Sequence, residues 1–88
     1  MKYKINYSTT FSKEFKKLDR FTQKMIKNWI QKHLMDCDNP KYIGKALAGR
    51  FKGLWRYRIG NYRLIVKIED DELLILFVDI GHRRDIYN

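Results

Sequence analysis

Six residues near the end of the chain, His82-Arg83-Arg84-Asp85-Ile86-Tyr87, bring together an imidazole, two guanidiniums and a phenol. An imidazole with an ordinary pKa near neutral can take up or release a proton. A guanidinium cannot, because its pKa lies above about 12; it holds an anion and keeps its own charge. A second basic group precedes these residues in Trp55-Arg56-Tyr57-Arg58-Ile59-Gly60-Asn61-Tyr62-Arg63. Planar guanidinium forks match the oxygens of a phosphodiester two at a time. Proton-handling and phosphate-holding groups are therefore both present. The sequence has no glycine-rich phosphate loop, no Ser/His/Asp order and no metal-ligand spacing. His33 lies on an apolar helical stripe, where it reads as a partly buried spacer, and Cys37 reads as a bystander thiol.

The second group needs a strand register to become a site. Gly60-Asn61 between two alternating runs suits a two-residue hairpin turn with glycine at the first central position. That loop pairs Ile59 with Tyr62, Arg58 with Arg63, Tyr57 with Leu64 and Arg56 with Ile65. Directly opposite residues share a face, and faces alternate with period two. Trp55, Tyr57, Ile59, Tyr62, Leu64 and Val66 then form an apolar face, while Arg56, Arg58 and Arg63 all fall on the other. Like charges directly opposite one another are destabilising, so such a patch calls for a negative guest. The plainer alternative, arginines satisfied by solvent or carboxylates, finds no acid close to them on the same two strands. A slip of one residue would undo the patch, but it would also turn the apolar set outward.

The remaining elements read as a scaffold for this hairpin. Tyr3, Ile5 and Tyr7 alternate with polar residues as in a half-buried strand. Ser8, Thr9 and Thr10 offer N-cap oxygens to a helix whose apolar face is Phe11, Phe15 and Leu18. Asp19 can cap a second helix, with Phe21, Met25, Ile26, Trp29, Ile30, His33 and Leu34 in helical period to about Asp36. Asn39-Pro40 stops it, since proline disfavours helical geometry in the residue before it. Lys41 to Gly53 reads as a loop with a turn of helix, and strands are predicted at Leu54–Ile59, Tyr62–Ile68 and Leu73–Ile80. Asp70-Asp71 marks the second reversal. The expectation is one α+β domain over residues 1–88, in two layers. An N-terminal strand and a helical hairpin precede a three-stranded antiparallel meander, with the helices on one sheet face.

Composition points the same way. Eighty-eight residues support one modest core, and 44 % hydrophobic residues suffice to build it. The formal charge is +9, of which +8 lies between Asn39 and Ile68, a stretch with eight bases and no acid. Segregated positive charge suits a polyanion, either nucleic acid or an acidic protein. Arg50 and Lys52 belong to this block, and with Arg56, Arg58 and Arg84 they make up the set expected to hold such a polyanion. A single cysteine permits no internal disulfide, and no signal peptide or apolar run of about 18 residues is present, so the chain reads as cytoplasmic.

Taken together, these motifs resemble the RelE/ParE superfamily of toxins from type II toxin–antitoxin systems. The resemblance rests on Phe11-x-x-x-Phe15-Lys16-Lys17-Leu18-Asp19, Leu47-Ala48-Gly49, the segment Trp55 to Leu64, and the ending Ile80-Gly81-His82-Arg83-Arg84-Asp85-Ile86-Tyr87. It covers essentially the whole chain and implies a RelE-like fold. It also implies a ribosome-dependent endoribonuclease that cuts mRNA in the A site by attack of the RNA's own 2′-OH, with no metal and no cofactor. Arg63 and Arg83 match family arginines that stabilise the transition state, and Tyr87 matches the tyrosine that orients or deprotonates the 2′-OH. Arg56 and Arg58 stand where well-studied members carry lysines. Since arginine cannot act as a base, proton transfer would pass to His82 or Tyr87, or the reaction would rely on positioning and electrostatics alone. The expected catalytic set is Arg63, His82, Arg83 and Tyr87. The implied partners are a cognate RelB-like antitoxin and the ribosome with mRNA in its A site, with no membrane and a monomeric free toxin. Two alternatives remain: a ParE-like toxin that inhibits gyrase without nuclease activity, and a basic RNA-binding module without catalysis.

Overall fold

The structure, a computed structural model, describes residues 3–35 and 37–82, with His82 placed by its backbone. In chain order its elements are β1 (Lys4–Tyr7), α1 (Thr9–Lys16), α2 (Arg20–His33), β2 (Lys45–Ala46), a 3-10 turn (Gly49–Phe51), β3 (Trp55–Ile59), β4 (Tyr62–Glu69) and β5 (Leu74–His82). The α+β class follows as expected, with a sheet larger than the predicted meander. Five strands run in the order β1-β5-β4-β3-β2, with β1 parallel to β5 and the other pairs antiparallel. β2 is the element that sequence reading misses, because two residues carry no periodicity. Among the described residues no helix is long and apolar enough to cross a membrane.

Both helices start where side-chain oxygens can receive orphan amides. Ser8 Oγ accepts from the Phe11 amide at 3.0 Å, and Asp19 Oδ2 accepts from the Thr22 amide at 3.2 Å. The turn between the helices is closed by Gln23, whose side-chain amide donates to the carbonyls of Phe15 at 3.1 Å and Leu18 at 3.0 Å. The inward ridge of α2 is Thr22, Ile26 and Ile30, continued by Leu34, and all four are buried. Met25, Trp29 and His33 form the flanking row and are half-buried. Phe21, expected on the apolar stripe, heads that flanking row in the first turn and is 77 % exposed.

The core lies between these helices and one sheet face. Phe11, Ile26, Ile30 and Leu34 meet Tyr57, Ile59, Leu64, Val66, Ile75, Phe77 and Ile80. Tyr57 is fully buried and spends its hydroxyl on the Pro40 carbonyl at 2.6 Å, which ties the helix-to-sheet connection to β3. Gly44 is required beside it, since a Cβ there would lie 2.9 Å from the Tyr57 ring. A second tie joins both ends of the sheet. Asp70, in the β4–β5 turn, accepts from Tyr3 Oη at 2.8 Å and pairs with Lys41 Nζ at 2.7 Å.

Candidate RNA-binding face

The β3–β4 hairpin adopts the expected register, with Arg58 opposite Arg63 and Arg56 opposite Ile65. Gly60 has a φ of +57°, the left-handed value the first position of the two-residue turn requires. Arg56, Arg58 and Arg63 therefore share the face away from the helices. Their environments differ: Arg58 is exposed, Arg56 is half-buried, and Arg63 is only 8 % exposed. The Nε atoms of Arg56 and Arg63 are sealed from solvent. An arginine packed along its stem presents its guanidinium in one orientation, which a solvated one does not.

The strands on either side extend this face in two ways that the sequence does not announce. On one side β2 pairs Lys45 with Arg56, which adds a further cation to the same rung. On the other side β5 pairs Gly81 with Arg63 and Asp79 with Ile65. Gly81 sets no side chain beside Arg63. Asp79 is an acid on the arginine face, one strand beyond the two on which none was found. Strict alternation along β5 would have placed it with Ile75 and Phe77 in the core. A bulge prevents this: Ile65 and Val66 pair with Asp79 and Phe77, so β5 carries Val78 as an extra residue. After the bulge Ile80 turns inward and is buried, while Asp79 turns to the arginine side and is exposed.

The connection between β2 and β3 closes part of this face. Arg50, Phe51 and Leu54 line a cavity of about 480 Å³ together with Thr10, Ile65, Val78 and Asp79. Ile65 is 3 % exposed although it faces away from the helical layer. Of the expected RNA-binding residues, Arg50 thus lines this cavity with Ile65, the residue opposite Arg56, while Lys52 is exposed next to the 3-10 turn. The expected proton-transfer group begins one rung beyond Arg63, where the backbone of His82 pairs with Tyr62. The His82 side chain and all of Arg83, Arg84 and Tyr87 lie outside the described residues. Cys37 is half-buried, and burial pushes its thiol above the ordinary range, away from the reactive thiolate.

Helices on one face of a five-stranded sheet and a basic opposite face define a RelE-type toxin fold. The same architecture occurs in the RelBE2 toxin–antitoxin complex of Mycobacterium tuberculosis, with a TM-score of 0.84 at 24 % identity over 94 % of this chain and 93 % of that one. It also occurs in a mutant of the Escherichia coli toxin RelE in the free state, with a TM-score of 0.77 at 18 % identity over 98 % and 88 %. The model of the family described as ParE toxin of type II toxin-antitoxin system, parDE, matches residues 5–87, and the chain belongs to that family. Among curated relatives, a putative RelE-like toxin protein of Escherichia coli is 29 % identical over 100 % of this chain and 93 % of its own length. Toxin RelG of Mycobacterium tuberculosis is 27 % identical over 99 % of this chain and 98 % of its own length. The chain is a toxin of the RelE/ParE type.

Proposed function

We propose that this toxin is a ribosome-dependent endoribonuclease that cleaves mRNA in the A site and so stops translation. The observation that carries the reading is the rung of Arg58, Arg63 and Gly81, in which two arginines stand directly opposite each other beside a residue with no side chain, next to the rung where His82 begins the tail. In the reaction the 2′-oxygen bonds to the adjacent phosphorus, the P–O5′ bond breaks, and a 2′,3′-cyclic phosphate and a 5′-OH result. One proton leaves the 2′-OH and one reaches the departing 5′-oxygen. Arg63, fixed by burial, supplies charge where the phosphorane oxygens become more negative, and Arg83 would add to it from the tail. Lys52, Arg56, Arg58 and Arg84 would hold the flanking phosphates, and Arg50 would meet the RNA from the cavity beside them. His82 and Tyr87 are the groups able to move the two protons, because no arginine of the face can give up its own.

The test adds the purified chain to ribosomes programmed with a short mRNA, beside a reaction without ribosomes, and maps the cut and its ends. A-site cleavage with a cyclic phosphate, seen only with ribosomes, supports the proposal. Cleavage of naked RNA would make the chain a free ribonuclease. The matching family description names ParE, so a gyrase-directed toxin is the second reading. Folded protein that cuts neither RNA but inhibits gyrase would replace the first reading with this one. A cognate RelB-like antitoxin is the proposed inhibitor, since solved relatives such as the Mycobacterium tuberculosis RelBE2 assembly are toxin–antitoxin complexes.

A further inference from the structure

The cavity over β4 and β5 has a composition that the phosphate-binding role does not explain. Its volume of about 480 Å³ falls within the span of ligand-sized clefts, roughly 300–1,000 Å³. Phe51, Leu54, Ile65 and Val78 make its walls apolar, and its polar groups are Arg50, Thr10 and Asp79. The Arg50 guanidinium lies 5.2 Å from the centre of the Phe51 ring, so a flat cation and a flat ring are placed side by side. A phosphate is a poor occupant, because the Asp79 carboxylate repels it. An acidic peptide is excluded on the same ground. What the walls and the carboxylate suit together is a flat, neutral, aromatic group with N–H donors on one edge.

We infer that this cavity is a nucleobase pocket for the RNA bound along the arginine face, and that Asp79 makes it select guanine. Guanine is the base with two adjacent donors, N1–H and N2–H, beside an acceptor, O6. The two donors match the two oxygens of a carboxylate, and the acceptor matches a guanidinium such as Arg50. Asp79 Oδ1 already accepts from the Ile80 amide at 2.8 Å, which steadies the carboxylate while leaving it further lone pairs. Stacking against Phe51 or Arg50 holds any base, so selection falls to Asp79. The bulge at Val78 is what makes the pocket, since without it Asp79 would face the core. The inference rests on the proposal that the chain acts on RNA, but its test needs no cleavage.

The experiment measures binding of the full chain to uridine-rich hexanucleotides that carry one guanosine, inosine or adenosine, at one fixed salt concentration. Inosine differs from guanosine only by the missing N2 amino group, so it removes one donor facing Asp79. Guanosine RNA should bind about tenfold more tightly than inosine RNA, and adenosine RNA should bind no better than inosine RNA. Asp79→Ala should bring the guanosine-to-inosine ratio close to one while all-uridine RNA binds as well as before or better, because a negative charge has gone. Asp79→Asn is the conservative variant and should give an intermediate ratio. Equal binding of guanosine and inosine RNA by the unsubstituted chain overturns the inference. So does a ratio that survives Asp79→Ala, or a loss shared equally by all RNAs, which would make Asp79 a counter-ion only. Guanosine selection without ribosomal cleavage would refute the proposed enzyme and leave the pocket standing. Cleavage without selection would do the reverse.

Discussion

Burial decides how much each arginine of the face contributes, and this can be measured by comparing Arg63 with its cross-strand partner. The two are directly opposite, yet Arg63 is 8 % exposed and Arg58 is open to solvent. A unit charge about 4 Å from the phosphorane oxygens is worth about 4 kcal/mol at the effective dielectric of a partly buried site, and about 1 kcal/mol in water. These values correspond to roughly 1,000-fold and fivefold in rate. Methionine keeps most of the apolar stem and removes the charge, so Arg63→Met should slow single-turnover cleavage on programmed ribosomes about 1,000-fold. Arg58→Met should slow it about fivefold. Arg63→Lys, which keeps a charge but loses the fork, should fall between them. A circular-dichroism melt of each variant keeps folding separate from chemistry. Equal losses at the two positions would refute the argument that burial sets the strength of the charge. Cleavage by folded Arg63→Met within about tenfold of the unsubstituted chain would remove Arg63 from the catalytic set.

Other expectations concern the scaffold. Tyr57→Phe should lower stability by about 1–3 kcal/mol, because the buried Pro40 carbonyl loses its 2.6 Å donor; a thermal melt checks this. Gly44→Ala should also destabilise by about 1–3 kcal/mol, since the new Cβ falls 2.9 Å from a Tyr57 ring that is fully buried; urea denaturation measures it. Asp70 is held below the ordinary carboxylate range by the hydrogen bond from Lys41 first and that from Tyr3 next. A depressed folded-state pKa stabilises above the unfolded value, and the contribution is lost as pH falls through the folded one. The melting-temperature difference between the natural chain and Asp70→Asn should therefore persist at neutral pH and shrink below about pH 4. A difference that stays constant down to about pH 2 would show that Asp70 acts without its charge.

Much of the fold was legible because local signals agreed with one another. Oxygen-bearing residues at 8 and 19, apolar period along α2, and Gly60-Asn61 between alternating runs each name an element and its boundary. The hairpin register followed from the same alternation, and with it the placing of Arg56, Arg58 and Arg63 on one face. Phe21 shows the limit of periodicity, which locates the apolar stripe but not where along the stripe the sheet lies beneath it.

The sequence by itself determined which arginines stand together, because side-chain direction in a hairpin depends only on parity and on one turn. Tertiary structure alone decided what surrounds them. The two-residue β2 exists only through its pairing with β3, and that pairing brings Lys45 beside Arg56. The depth of Arg63 depends on what lies over its strand, which no local pattern encodes. The continuous apolar run Leu73 to Val78 leaves the face of Asp79 open. It is settled by a bulge opposite Ile65 and Val66, where burying both Phe77 and Ile80 requires one extra residue between them.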